Sequence, residues 1–241
     1  MAPKEPGLVV WDIDGTLIPA DLRWLRRAIA RAYGLAEAEV RFPAKKVHGY
    51  TDESIAIDTA IASGVTPALA EAGIADFSTS LMSVMNEGRD ELRSDQPPYP
   101  GAVGSIGELN RAGFTQTVLT GNIRPATEVK LGELGLDAYL DLDIGAFGSD
   151  SRDRFNLPAV VARRFANAFG RQLVPARTVI IGDAPNDIAC ARHAGFKVIV
   201  VAHRSTREEL AEYGPDAIVE DLEPSTIVAT VESVLSGGSA S

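Results

Sequence analysis

Several features are scarce in this sequence, and each shortage excludes a class of protein. The 241 residues include one cysteine, Cys190, so no disulfide can form within the chain and a reducing compartment is expected. Lysine and arginine number 23 against 33 aspartate and glutamate residues, which leaves a net charge of −10. Because an acidic surface repels the phosphates of nucleic acids and anionic lipids, neither is expected as the main partner.

Long apolar runs are also missing. No stretch approaches the roughly 20 apolar residues that a membrane-spanning helix needs, and the N-terminal Met-Ala-Pro-Lys-Glu-Pro lacks a signal-peptide pattern. The sequence therefore predicts a cytoplasmic protein. Its apolar content of 45% and charged content of 23% are typical of a globular protein, and the length suits a large core with a smaller appendage.

The first positive signal lies near the start of the chain. The apolar run Leu8–Trp11 is typical of a buried strand, and Asp12 and Asp14 follow it. Side chains two apart in an extended chain point to the same face, so these carboxylates would lie close together and require a cation or a shared proton. Gly15 permits a turn and Thr16 adds a hydroxyl. A nucleophilic carboxylate, a second as acid and base, and a divalent cation form a site for phosphoryl transfer.

Two plainer interpretations of this stretch exist, an ordinary turn and half of a calcium loop. A calcium loop requires a glutamate at its twelfth position, and counting from Asp12 that position holds Arg23. Calcium is therefore disfavoured. The choice between a turn and a phosphoryl-transfer site depends on the rest of the chain.

The pattern between positions 18 and 97 is helical, with almost no strand signal. Apolar residues at helical spacing from Leu22 to Ala32 alternate with arginines, which predicts a solvated basic face over an apolar stripe. Thr51 suits a helix N-cap with Asp52 in the first turn, and a further helix is predicted over 77–92.

The sequence pattern changes after a group of prolines between Gln96 and Gly101. The prolines end any helix and indicate a crossing between two domains. We therefore predict a core domain of residues 1–17 and 98–241, with a helical domain of residues 18–97 inserted in it.

Strands alternate with helices from position 114 onward. Strands are predicted at 114–119, 143–147, 178–181, 197–202 and 217–219, and helices at 125–134, 157–169, 184–194, 206–213 and 224–235. This alternation is typical of an α/β fold with a doubly wound parallel sheet, a Rossmann-like core with helices on both faces. Ligands bind such sheets beyond the carboxyl ends of the strands, so chemistry should recur just after other strands.

Polar residues do follow two further strands. Thr120, Gly121 and Asn122 would present a hydroxyl and backbone amides to an anion at the N-terminus of the next helix. Asp183 and Asp187 follow a third strand. Both sets can also be plain helix caps. Capping needs only one carboxylate, however, so four acids at two strand ends favour a magnesium site.

In this order, three motifs resemble the haloacid dehalogenase-like superfamily, specifically its phosphatases of the phosphoglycolate phosphatase type, which carry a helical cap after the first motif. The matching residues are Asp12-Ile-Asp14-Gly-Thr16, Thr120-Gly121-Asn122 and Gly182-Asp183-Ala-Pro-Asn-Asp187. The resemblance implies that residues 18–97 form the cap.

Roles for individual residues follow from the resemblance. It implies that Asp12 attacks phosphorus to form an aspartyl phosphate, and that Asp14 protonates the leaving oxygen and then activates water. It also implies that Mg²⁺ is held by Asp12, the Asp14 backbone carbonyl and Asp183, with Asp187 assisting. Thr120 would join the catalytic group, and Gly121 and Asn122 would bind the substrate.

The superfamily's third motif is where this sequence departs. Many relatives carry a lysine in a Lys-Pro-x-Pro run after the fourth strand, but residues 148–158 lack it. Other relatives take the lysine from the preceding helix, where Lys130 is the candidate for the cation that binds phosphate. Arg154 is the second candidate, and a plain surface lysine is the alternative for Lys130.

The sequence therefore predicts a magnesium-dependent phosphatase that acts on a phosphate monoester of a small metabolite. A phosphomutase would share all four acids, a phosphonatase would use Lys45 or Lys46 of the cap, and a binding protein would keep the fold without catalysis. His48 is a weak candidate for a substrate contact. Neither the substrate nor the oligomeric state is specified by these motifs.

Overall fold

A parallel sheet forms the centre of the structure, a computed structural model that describes residues 7–43 and 50–237. The described residues form a sheet of five parallel strands in the order β2-β1-β3-β4-β5. The strands are β1 Leu8–Trp11, β2 Thr115–Val118, β3 Thr178–Gly182, β4 Lys197–Val201 and β5 Ala217–Val219. The first strand of the chain therefore lies between the second and the third.

The helices fall into two groups along the chain. The first group is α1 Arg23–Tyr33, α2 Asp52–Ala62, α3 Pro67–Ala72, α4 Ile74–Glu87 and α5 Arg89–Asp95. The second group is α6 Ala102–Arg111, α7 Arg124–Glu133, α8 Leu157–Phe169, α9 Pro185–His193, α10 Arg207–Ala211 and α11 Pro224–Ser236. Within residues 7–43 and 50–237, the helices are too short or too polar to traverse a bilayer.

Strand β1 shows why the sheet is covered on both faces. Val9 and Trp11 pack in the cluster that contains side chains of α6 and α11, whereas Leu8 and Val10 pack in the cluster that contains side chains of α8, α9 and α10. Alternate residues of a strand point to opposite faces, so an unbroken apolar run requires burial on both. The predicted α/β fold with a doubly wound parallel sheet is confirmed.

The helices of the first group pack around an apolar cluster of their own. It includes Trp24, Phe77 and Met85, and it extends to Ile123 and Val129 at α7 of the sheet-bearing region. At the crossing between the two regions, the Tyr99 amide donates to the Leu17 carbonyl oxygen at 2.9 Å. The boundaries 1–17, 18–97 and 98–241 stay a prediction.

Two predicted elements are wrong. Residues 143–147 form an isolated bridge between Leu119 and Ala146 rather than a strand, because turns on both sides of Ala146 end the pairing. The helix predicted over 77–92 is broken at Gly88, which separates α4 from α5. A Cβ at Gly88 would lie 2.3 Å from the Trp24 ring, so the close approach of α1 requires glycine there.

The basic face of α1 is also not simply solvated as predicted. Arg23 and Arg27 form ion pairs with Glu91 of α5, and Arg31 pairs with Glu87 of α4. The apolar stripe and the ion pairs therefore hold the same set of helices together.

Candidate active site

The carboxyl ends of β1, β2 and β3 meet at one edge because the strands are in register. Trp11 lies opposite Val118 on one side and Ile181 on the other. Asp12 continues the pairing, since its amide donates to the Ile181 carbonyl oxygen at 2.9 Å. The residues that follow these three strands therefore lie together at the carboxyl edge of the sheet, which we call the rim.

Three buried carboxylates come together at this rim. One oxygen each of Asp12, Asp183 and Asp187 lies within 4.8 Å of the others. The Thr16 hydroxyl lies 3.4 Å from both Asp12 Oδ2 and Asp183 Oδ1. Gly15, at φ +97°, is needed here because a Cβ would lie 2.4 Å from Asp183 Oδ2.

Burial and mutual repulsion work against ionisation of these acids. Burial, then the charge of Asp187, raises the pKa of Asp12 to about 7, although Arg154 opposes the shift. Burial, then the charges of Asp187 and Asp12, raises the pKa of Asp183 to about 8. A cluster of carboxylate oxygens with a deficit of positive charge suits a hard divalent cation such as Mg²⁺, so the donor set fits the predicted ion.

Arg154 provides the cation inside the cluster. Its Nη2 donates to Asp12 Oδ1 at 2.9 Å and to Asp187 Oδ1 at 2.5 Å. Asp187 is fixed from its other side, because Oδ2 accepts from the amides of Asp183 and Ala184 at 3.1 and 3.0 Å. The buried Nε of Arg154 has no hydrogen-bond partner among the described residues.

Lys130 provides a second cation, a short way along the rim. Its Nζ donates to both carboxylate oxygens of Asp14, at 2.8 and 2.6 Å, and to Asn122 Oδ1 at 2.9 Å. Lys130 is buried on α7, so the alternative of a plain surface lysine is wrong. The two cations divide the acids between them, and which one binds phosphate stays a prediction.

The segment after β2 lies beside Lys130. The Thr120 hydroxyl accepts from the Asn122 amide at 3.2 Å. A Cβ at Gly121 would lie 2.0 Å from the Tyr50 carbonyl oxygen, so glycine is needed for the approach of the chain before α2. The three residues of the second motif thus share the rim with the acids.

Two residues at the site were not identified from the sequence. Asp52, at the start of α2, is buried, and its carboxylate accepts from Asn122 Nδ2 and the Ile123 amide. Burial raises the pKa of Asp52 to about 6 against the opposing charge of Lys130. Arg204 Nη1 lies 3.6 Å from Asp183 Oδ2. The run of residues 47–52 resembles the superfamily's substrate-specificity loop, but only His48 in it was a candidate for a contact, and Arg204 has no local pattern that distinguishes it from a surface arginine.

A cavity of about 70 Å³ adjoins the acids. On the sheet side its lining includes Asp12, Asp14, Lys130 and Arg154. On the side of the inserted helices the lining is largely apolar, with Leu22, Trp24, Leu25, Ile55, Leu81 and Met85. The predicted cap residues Lys45, Lys46 and His48 lie outside the described residues.

Comparisons with known proteins agree with this arrangement. Residues 9–192 match the family model described as haloacid dehalogenase-like hydrolase. A phosphoglycolate phosphatase of Agrobacterium fabrum is 27% identical over 247 residues, which cover 99% of this chain and 97% of that protein. A phosphoglycolate phosphatase of Mesorhizobium japonicum is 24% identical over 225 residues, which cover 91% of this chain and 93% of that protein.

Solved structures share the fold. CbbY from Rhodobacter sphaeroides, crystallised in complex with phosphate, aligns with a TM-score of 0.67 at 19% identity, covering 94% of this chain and 99% of that chain. A predicted phosphoglycolate phosphatase from Haemophilus somnus aligns with a TM-score of 0.65 at 21% identity, covering 95% and 100% of the two chains.

Proposed function

Since the chain belongs to the haloacid dehalogenase-like hydrolases, we propose that it is a magnesium-dependent phosphatase that hydrolyses a small-metabolite phosphate monoester through an aspartyl phosphate on Asp12. The predicted enzyme class, a phosphoric monoester hydrolase, is confirmed by the family together with relatives named phosphoglycolate phosphatase. The metal, the intermediate and the substrate are the parts that are proposed.

The observation that carries the proposal is the position of Asp12 at the carboxyl end of β1, among two further acids and a buried arginine. Carboxylate oxygens of Asp12, Asp183 and Asp187 lie within 4.8 Å of one another. Arg154 donates to Asp12 Oδ1 and leaves Oδ2 on the side of Thr16 and Asp183. A carboxylate whose charge is balanced locally can approach an anionic phosphate, which a lone aspartate would repel.

In the first half of the reaction, an Asp12 oxygen forms a bond to phosphorus while the bond to the ester oxygen breaks. Asp14 gives its proton to the departing alcohol. In the second half, water attacks the aspartyl phosphate, Asp14 takes the proton, and Asp12 and inorganic phosphate are released. General acid–base catalysis of this kind contributes on the order of 10²- to 10⁴-fold.

Lys130 donates to both oxygens of Asp14 and so fixes the orientation of the carboxyl group that exchanges the proton. The same ammonium would attract a substrate phosphate, which would bring the phosphate beside Asp14. Arg154 lines the same cavity and would also attract the phosphate.

The residues that would hold Mg²⁺ are Asp12, the backbone carbonyl of Asp14, and Asp183, with Asp187 directly or through water. The ion would neutralise charge on the transferred phosphoryl group, whose three oxygens carry it in the transition state. Asp187 is oriented for this by the amides at the start of α9.

The names of the relatives support a small substrate, since they include phosphoglycolate phosphatases. Cavities of about 70, 430 and 630 Å³ adjoin Asp12, Arg154 and Asp183 respectively, so the site has room for a small phosphate ester. Phosphoglycolate is the first compound to test because relatives carry its name.

The test measures phosphate release from phosphoglycolate, a chromogenic ester and a panel of metabolite esters, with Mg²⁺ or with EDTA. Wild-type protein should require the metal, and Asp12→Asn should lose at least about a thousandfold in kcat because the nucleophile is gone. Asp137→Asn is the matched control, since Asp137 is an exposed aspartate of the same region.

Other outcomes would redirect the proposal. Isomerised sugar phosphate without released phosphate would indicate a phosphomutase. Inactivity on the whole panel would favour a binding protein. Turnover that survives Asp12→Asn would exclude Asp12 as the nucleophile.

A further inference from the structure

Helix α2 of the inserted region and the segment after β2 are joined by a reciprocal set of hydrogen bonds. The Asp52 amide donates to the Gly121 carbonyl oxygen at 2.8 Å. In return, Asp52 Oδ2 accepts from the Ile123 amide at 3.0 Å and Oδ1 accepts from Asn122 Nδ2 at 3.3 Å. Asp52 is 3% exposed, so water does not compete strongly for these contacts.

The contacts continue from Asn122 into the acid–base machinery. Asn122 Oδ1 accepts from Lys130 Nζ, and Lys130 Nζ donates to both oxygens of Asp14. We propose that Asp52 is a positioning residue, which orients the Asn122 amide and through it places Lys130 against Asp14. The inference rests on the proposed function, because it concerns the residue assigned there as acid and base.

The hydrogen-bonding chemistry of Asp52, Asn122 and Lys130 permits only one orientation of the Asn122 amide. An ionised carboxylate only accepts hydrogen bonds and an ammonium only donates them, whereas a carboxamide has one donating and one accepting end. An amide between Asp52 and Lys130 must therefore turn its nitrogen to Asp52 and its oxygen to Lys130. Asp52 selects the one orientation of Asn122 that stabilises the lysine.

A structural role alone does not account for every contact. Capping the first turn of α7 would need one acceptor for the Ile123 amide, and Oδ2 of Asp52 supplies it. Docking α2 would be served by the backbone bond to Gly121. The second carboxylate oxygen, Oδ1 of Asp52, accepts from Asn122 Nδ2, and Oδ1 of the same Asn122 accepts from Lys130.

Asp52→Asn gives the sharpest test, because it preserves size and reverses polarity. The new amide would accept from Ile123 and donate to Asn122, so Asn122 would have to turn its own nitrogen toward the lysine. We expect kcat to fall about tenfold to a hundredfold, a part of what acid–base catalysis contributes, while KM changes by less than about threefold.

Glu53→Gln is the matched control on the same turn of α2. Glu53 also crosses to the sheet-bearing region, where it pairs with Arg152 at 3.0 Å, but its contact does not lead to Lys130. The substitution removes the same charge from the same helix end. We expect it to change kcat by less than about twofold, the small effect typical of partly exposed ion pairs.

A second variant separates positioning from packing. Asp52→Ser leaves a smaller side chain whose hydroxyl can donate or accept, so it does not force Asn122 into the wrong orientation. Positioning predicts that kcat falls in the order wild type, Asp52→Ser, Asp52→Asn. A packing role predicts the reverse order for the two variants, because serine leaves a void and asparagine does not.

The closing experiment combines Asp52→Asn with Asn122→Ala in a double-mutant cycle, using an ester that the wild-type protein hydrolyses and that Asp12→Asn does not. With Asn122 truncated, Asp52→Asn should change kcat by less than about threefold, since the residue it acts through is gone. Independent, multiplying losses, or the packing order of the two Asp52 variants, would overturn the positioning role while the proposed phosphatase stands. A wild-type protein that is inactive on every ester would instead overturn the proposed function.

Discussion

Carboxylates meet arginines in two regions of this protein, with opposite results. Between α1, α4 and α5 the partners lie at the surface. There Arg31 and Ser83 lower the pKa of Glu87 to about 2, and Arg27 and Arg23 hold the pKa of Glu91 below its usual range. At the strand ends Arg154 contacts two acids, yet the pKa of Asp12 rises to about 7.

Burial explains the difference. A carboxylate at the surface keeps its hydration and gains a partner, whereas a buried one loses hydration that a single arginine shared between acids does not replace. The acids between α1, α4 and α5 are paired with arginines at the surface. The buried acids at the strand ends have a deficit of positive charge, which the proposed metal ion would offset.

The largest expected effect comes from relieving that deficit by mutation. Asp183→Asn removes a proposed metal ligand, so kcat/KM should fall on the order of a thousandfold or more in Mg²⁺. At a pH above about 8, the folded pKa of Asp183, the same change should also raise the Tm of the metal-free protein, because one of the mutually repelling buried charges is gone. Phosphatase assays over a magnesium series and thermal melts in EDTA measure both.

Glu91→Gln is the comparison for Asp183→Asn in the helical region. It should lower Tm slightly and leave activity unchanged, since Glu91 pairs with Arg23 and Arg27. A metal-free Asp183→Asn protein that melts below wild type at that pH would contradict the repulsion inferred at the strand ends.

The next largest effect is expected when the arginine of each region is replaced. Arg154→Met should lower the free energy of unfolding in EDTA by about 3–5 kcal/mol, because it removes the buried cation that Asp12 and Asp187 share. Arg27→Met should lower it by at most about 1 kcal/mol, as for a partly exposed pair. Urea denaturation, followed by the fluorescence of Trp11 and Trp24, compares them. Equal losses would show that burial does not separate the two regions.

The pH dependence of stability should also differ from that of an ordinary acid-sensitive protein. Asp12 and Asp183 have folded pKa values of about 7 and 8, above the unfolded value of about 3.9, so the folded state binds more protons across this range. The free energy of unfolding of the metal-free protein should therefore fall as pH rises from about 5 to 8, by about 2–4 kcal/mol for two coupled groups.

Glu87 should act in the opposite sense and at lower pH. Its pKa is lowered to about 2, so its contribution is present above about pH 4.5 and disappears as pH falls through 2. Denaturation curves at pH 5, 6, 7 and 8, with EDTA and with Mg²⁺, test the first trend, which the metal should suppress. Stability that rises over that interval in EDTA would contradict it.

The smallest expected effect distinguishes the two cations. Lys130→Ala should weaken binding of inorganic phosphate in Mg²⁺ about tenfold, or about 1.4 kcal/mol, and Arg154→Ala should weaken it less. Lys130 contacts one acid and a neutral amide, whereas Arg154 is held by two acids. Titration calorimetry gives the affinities. The reverse order would identify Arg154 as the main phosphate-binding cation.

The sequence contains what is needed to predict the sheet and the grouping of the acids. Short apolar strands followed by Asp12, Thr120 and Asp183 imply a shared rim, because parallel strands bring their carboxyl ends together. Lys130 could be selected because the expected motif was missing elsewhere. The sheet and the grouping of the acids need only local patterns and one rule of topology, whereas the choice of Lys130 rested on the resemblance to relatives that take the lysine from that helix.

Asp52 shows where such inference stops. Its position after Thr51, in the first turn of α2, is fully explained by helix capping, which hides any second role. Its partners Asn122 and Ile123 are 70 and 71 residues away along the chain. The break at Gly88 was missed for a similar reason, since the ring that demands glycine belongs to Trp24 of another helix.

The bond between Tyr99 and Leu17 has a consequence for how this architecture can diversify. The passages of the chain into and out of the helical region are joined there, and again where Gln96 Nε2 donates to the Pro19 carbonyl oxygen at 2.7 Å, near the end of the strand that precedes the proposed nucleophile Asp12. We therefore expect that a helical insert of another length or shape would leave the register of the sheet unchanged. The wall that the helices contribute to the cavity would then change while the acids at the strand ends keep their positions.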